Sequence, residues 1–200
     1  MLVRNRMSRK VFTVAPDASI EAARALLQRH RVRQLPVVRK ERLVGIVTDR
    51  DLRGAGANEQ QVADVMTAKP VVVAPTASVD EAARLLRGRK IGALPVVDKN
   101  KLVGLLAASD VLDAFVDISG VGEATYRITV SGVRGKQAAR QVRQAVDQCR
   151  LDLKWLHPDS RDASILHLRL KGNRIDDFTT ALEAAGFNVD SVVAPSTSRA

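Results

Sequence analysis

A shift of 59 residues lays the first third of the chain on the second, and 19 of the 46 positions from residue 7 to residue 52 then match without a gap. Met7 meets Met66, Ala15-Pro16 meets Ala74-Pro75, Leu35-Pro36-Val37-Val38 meets Leu94-Pro95-Val96-Val97, and Leu43-Val44-Gly45 meets Leu102-Val103-Gly104. Repetition at such a period means one supersecondary unit built twice. In each copy a serine, Ser19 or Ser78, stands where a helix N-cap would, with Glu21 or Asp80 and Glu81 in the first turn. Ala23, Leu26 and Leu27, and likewise Ala82, Leu85 and Leu86, fall on one face, which predicts helices over Ile20–His30 and Val79–Arg89. Residues 12–14 and 71–73 read as short strands before these helices. After them, 35–38 and 43–48 read as a hairpin that turns at Arg39-Lys40-Glu41-Arg42, with Asp98-Lys99-Asn100-Lys101 as the turn of the second copy. A last helix begins near Asp51 or Asp110. A β-α-β-β-α unit of this size buries too little surface to stand alone, so the copies should pack face to face.

The rhythm changes after residue 116. Residues 117–123, rich in small and flexible side chains, predict a linker. Beyond it, 125–131 alternates as a strand, and 135–149 carries Ala139, Val142, Ala145 and Val146 at helical spacing. Residues 151–157 and 164–170 alternate again, 175–185 is helical up to Gly186, and 187–193 closes the domain. The order β-α-β-β-α-β is the ferredoxin-like split βαβ. The predicted division is 1–58, 59–116, linker 117–123, 124–194 and a tail 195–200, all of it α/β.

Composition removes several functions. Cys149 has no partner for a disulfide, and His30, His157 and His167 are spread too widely for a zinc cluster, so no metal is expected. No apolar run approaches the roughly 20 residues of a membrane span, and no secretory signal opens the chain, which predicts a cytoplasmic protein without a membrane partner. Aromatic residues are 3% of the chain, which speaks against base-stacking platforms, so nucleic acid is not the expected partner despite a net charge of +10. Residues 1–56 hold 13 basic and 5 acidic side chains, 57–116 hold 7 and 7, and 117–200 hold 12 and 10. The excess sits in the first copy. No Walker-type loop and no local nucleophile constellation is present, and catalysis is not expected.

Thr48 at a strand end and Asp51 three residues on, in the first turn of a helix, would set a hydroxyl, a carboxylate and free backbone N–H groups around one concavity. A carboxylate there can accept both hydroxyls of a ribose. The alternative is that Asp51 only caps its helix, worth roughly 1 kcal/mol.

The leading segments 3–8 and 62–67, the two Leu-Pro-Val-Val strands and the run Gly45-Ile46-Val47-Thr48-Asp49-Arg50-Asp51 resemble the cystathionine-β-synthase-type (CBS) domain pair, or Bateman module, over about residues 1–116. The resemblance implies an adenosine-containing regulatory ligand, either AMP, ADP or ATP, or S-adenosylmethionine. It assigns Thr48, Asp51, Arg33 and Arg50 to ribose and phosphate, and Val71, Val72 and Pro95 to the adenine. The second copy has Ala107 in place of Thr48 and Gly92 in place of Arg33, so a degenerate second site is expected around Asp110. Residues 124–194 resemble the ACT domain, carried by topology and by Ser131-Gly132-Val133-Arg134-Gly135. The whole arrangement is similar to the acetoin-utilisation accessory family. These resemblances imply an allosteric sensor, a homodimer, acting on a target enzyme or transporter. A nucleic-acid-binding protein or a scaffold for dimerisation is the alternative.

Overall fold

The computed structural model describes residues 1–56, 60–121 and 123–195. The expected boundary at 58/59, Gly122 of the expected linker and residues 196–200 of the expected tail lie outside them. Two compact units divide the chain, Met1–Asp113 and Ala114–Ala200.

In the first unit each copy carries, after its leading segment, a helix whose N-cap serine side chain accepts a backbone N–H, Ser19 from Ala22 and Ser78 from Glu81. These helices, α1 (Ile20–His30) and α4 (Val79–Arg89), end on Arg31 and Lys90 in the left-handed conformation. Hairpins follow, β1 (Gln34–Arg39) with β2 (Arg42–Thr48), and β4 (Ala93–Asp98) with β5 (Lys101–Ala107). Both turn on two residues of positive φ, Lys40-Glu41 and Lys99-Asn100, as the twist of a tight hairpin requires. The first copy ends on α2 (Asp49–Arg53), the second opens with α3 (Val62–Val65) and the two-residue β3 (Thr67–Ala68), and α5 (Ala108–Ser119) follows β5 and runs across the division after Asp113. The sheet order is β1-β2-β5-β4, with β3 on β2. The two hairpins join through the pair Arg42 and Lys101.

Two expectations are corrected. The short strands over 12–14 and 71–73 reduce to single parallel bridges, Val14 to Val37 and Val73 to Val96. The linker does not begin at Asp117, because α5 runs to Ser119 and stops at Gly120, whose φ is +68°.

Each copy lends its leading segment to the other. Val3 is fully buried in the core of the second copy, with Val73, Ala82, Leu86, Leu94, Val96 and Leu106. Val62 is fully buried in the core of the first, with Leu27, Leu35, Val37, Val47 and Leu52. Backbone bonds fix the exchange: the Val3 N–H donates to Ala77 O (2.9 Å) and the Val62 N–H to Ala18 O (2.9 Å). Glycines make room for it. A Cβ on Gly104 would lie 2.5 Å from the Met7 sulfur, and one on Gly45 would lie 2.5 Å from the Met66 sulfur.

The second unit holds β6 (Tyr126–Ser131), α6 (Gly135–Gln148), β7 (Asp152–Pro158), β8 (Leu166–Lys171), α7 (Ile175–Ala184) and β9 (Asn188–Val193). Its antiparallel sheet runs β7-β8-β6-β9, and the core, centred on Ile128, Leu168, Leu170, Phe178 and Leu182, lies between that sheet and the two helices. His157 and His167 face each other across β7 and β8. Asp159 accepts the N–H groups of Arg161 (2.8 Å) and Asp162 (3.1 Å) and sits 3.2 Å from His167 Nε2. The Arg161 amide first, then His167 and the Asp162 amide, draw its carboxyl from the ordinary 3.8 down to about 2. A carboxyl depressed by folding adds stability above its unfolded pKa and loses it as the pH falls through the folded value. Asp159→Asn should therefore lower stability by a constant amount above about pH 3.8 and flatten its dependence on pH between about 3.8 and about 2, as acid titration followed by circular dichroism would record.

Candidate functional site

The strand β2 delivers Thr48 to the N-terminus of α2, and a reciprocal capping box forms there. The Thr48 N–H and Oγ1–H both donate to Asp51 Oδ2 (2.8 and 2.7 Å), while the Asp51 N–H donates to Thr48 Oγ1 (3.3 Å). Asp51 does cap its helix. The same bonds set its carboxylate in one orientation, and Oδ1 takes part in none of them. The Arg33 carbonyl accepts the Asp49 N–H (3.0 Å), tying the start of β1 to the same turn.

These groups line a cavity of about 670 Å³, large enough for a nucleotide-sized ligand. Arg33, Thr48, Arg50, Asp51 and Val71 all border it. Val72 and Pro95 do not. Along an extended segment alternate residues face opposite ways, so Val73 turns into the core while Val72 points outward at 42% exposure. Pro95 is buried in β4, where its carbonyl accepts the Val73 N–H (3.1 Å). The apolar wall consists instead of Ile46, Pro70, Val71 and Ile91.

Sequence reasoning missed Arg53, Lys69 and Lys90, which make five cations around this cavity with Arg33 and Arg50, against Asp49 and Asp51. Asp49 is already paired with Arg53 at 2.7 Å. The repeat carried a signal for two of them: Lys69 aligns with Lys10, and Lys90 with Arg31, so a cation recurs at both positions. Lys69 adopts φ +51° directly before Pro70, a backbone form rarely held without cause and one that gathers at ligand sites.

A second cavity of about 660 Å³ lies around Asp110. Asp110 Oδ2 accepts the Ala107 N–H (2.8 Å), so the carboxylate is set as in the first copy although the threonine hydroxyl is gone. Lys10, Arg31 and Arg33 line it. The basic excess of the first copy serves both clefts, because the leading segment and the end of α1 border the second.

The CBS domain family matches residues 3–58 and 62–117, one match on each copy and 112 of the 200 residues together. The chain belongs to the CBS-domain family. The inosine-5'-monophosphate dehydrogenase of Korarchaeum cryptofilum is 42% identical over 104 residues, covering 52% of this chain and 22% of the enzyme. The chain thus spans about a fifth of that relative, and the match falls on its CBS portion alone. The CBS domain-containing protein YhcV of Bacillus subtilis is 33% identical over 132 residues, covering 64% of this chain and 94% of YhcV. Among solved structures, the CBS pair of MJ0100 in complex with 5-methylthioadenosine and S-adenosyl-L-methionine has a TM-score of 0.55 at 29% identity, covering 57% of this chain and 95% of that one. CBSX2 in complex with AMP has a TM-score of 0.54 at 34% identity, covering 58% and 97%. An acetoin utilization protein, AcuB, from Vibrio cholerae has a TM-score of 0.56 at 31% identity, covering 62% and 96%. No helix among the described residues is long and apolar enough to cross a membrane.

Proposed function

We propose that the CBS pair of this chain is a sensor for an adenosine-containing ligand, and that the first cleft takes a phosphorylated one. The observation that carries this reading is a carboxylate fixed by two hydrogen bonds at the mouth of a helix, with an apolar wall on one side and five cations around it. Asp51 accepts the ribose hydroxyls, Val71 and Ile91 flank the base, and Arg33, Arg50 and Thr48 meet the phosphates. The cation count ranks AMP, ADP and ATP above S-adenosylmethionine, whose sulfonium and ammonium groups bring positive charge into a positive field. The adenosine ligands of MJ0100 and CBSX2 support the ligand class. For transmission, the ligand must bind one arrangement of the pair more tightly than another. The C-terminal unit, read as ACT-type from its βαββαβ order, passes that change on, across a cytoplasmic homodimer, to a target enzyme or transporter.

Thermal unfolding in the presence of each ligand tests this reading directly. At a hundred times its dissociation constant a ligand adds about 2.7 kcal/mol, and AMP, ADP or ATP should raise the melting temperature while S-adenosylmethionine raises it less. No shift with any of the four would sink the proposal.

A further inference from the structure

The repeat gives each cleft its own carboxylate and its own cations, with one exception. Positions 33 and 92 are equivalent, and each carbonyl accepts an N–H from the turn that follows the hairpin, Asp49 at 3.0 Å and Ala108 at 2.9 Å. Yet one position is arginine and the other glycine. Arg33, Gln34 and Gly92 border both cavities and are the wall they share. Within it Gly92 lies against the Gln34 side chain, so that a Cβ there would be 3.2 Å from Gln34 Oε1. The Arg33 side chain is exposed, and no carboxylate among the described residues pairs with it. Among the described residues Arg33 is therefore the one cation that borders both cavities.

We infer that Arg33 couples the clefts negatively: a phosphate bound in one withdraws the guanidinium from the other. The clefts fill in sequence, the first tightly and the second without its shared cation. This inference rests on the nucleotide reading above, because it needs an anionic ligand in each cleft. A charge-assisted contact of this kind is typically worth about a tenfold change in affinity or more, and coupling of that size is ordinary for linked sites.

Two-step calorimetric titration with AMP tests it. Arg33→Ala should weaken the first step about tenfold and leave the second unchanged, because the second ligand never had that cation. In Asp51→Asn, where the first cleft is weakened, the second cleft should bind AMP about tenfold more tightly than the second step of the unaltered protein. Adding Arg33→Ala to Asp51→Asn should remove that gain. Adenosine, which lacks the phosphate, should bind with no dependence on Arg33. The coupling is overturned if Arg33→Ala weakens both steps equally, or if the second cleft of Asp51→Asn is no tighter than the ordinary second step. If the unaltered protein binds a single AMP, Asp51→Asn should still bind one, in its second cleft; binding none refutes the inference. Absence of AMP binding in the unaltered protein would instead defeat the nucleotide reading itself. Circular dichroism confirms the fold of each variant.

Discussion

Asp51→Asn should lower the affinity of the first cleft for AMP by roughly tenfold to a hundredfold. The two hydroxyls of a ribose both need an acceptor, and hydrogen bonds to a charged group are worth roughly 1.5 to 3 kcal/mol each. Asparagine keeps one carbonyl oxygen, which can go on accepting the Thr48 N–H that now reaches Asp51 Oδ2 at 2.8 Å. The helix stays capped while the second acceptor becomes a donor. Asp51→Ala removes the cap as well and adds about 1 kcal/mol of local destabilisation. Asp110→Asn should leave the first step within about twofold, because Asp110 borders only the other cavity of the two. Calorimetry that finds Asp51→Asn and Asp110→Asn alike in the first step would mean that Asp51 is a helix cap and nothing more.

Val3→Asp should damage the half of the pair to which residue 3 does not belong by repeat. Val3 is fully buried against Val73, Leu94 and Leu106, so an aspartate there is an unpaired charge in the second core. The cost is about 4 kcal/mol or more, against roughly 5 to 15 for a whole domain. Amide hydrogen exchange should then lose protection in β4 and β5 before β1 and β2. Loss confined to β1 and β2 would contradict the exchange of leading segments.

Much of the local structure was legible from the repeat. Ser19 and Ser78 placed the starts of α1 and α4, and the turns Arg39-Lys40-Glu41-Arg42 and Asp98-Lys99-Asn100-Lys101 fell where both hairpins reverse. Thr48 and Asp51 were legible because a cap is written within four residues. The partners of each segment were not. Val3 and Val62 carry the same hydrophobic signal whichever core they enter, since periodicity reports the face of a segment and says nothing of which surface that face meets. For the same reason counting charges places the basic excess in the first copy but not at a cleft, and Lys10 and Arg31 of that copy border the second cavity. Val72 and Pro95 were assigned from resemblance; alternation around Val73 turns Val72 outward, and Pro95 is buried within β4. The linker was read from composition, but helix α5 persists until Gly120 supplies a positive φ.

The crossing of residues 3 and 62 into opposite cores makes this duplication irreversible in a practical sense. A gene cut between the copies, at 58/59, would encode two fragments, 1–58 and 59–200, each holding the strap that the other's core needs. Neither is a small version of the parent, and both cores are complete only when the two fragments are together. The pair therefore lends itself to fragment complementation, with recovered hydrogen-exchange protection in both hairpins as the sign that the halves have met.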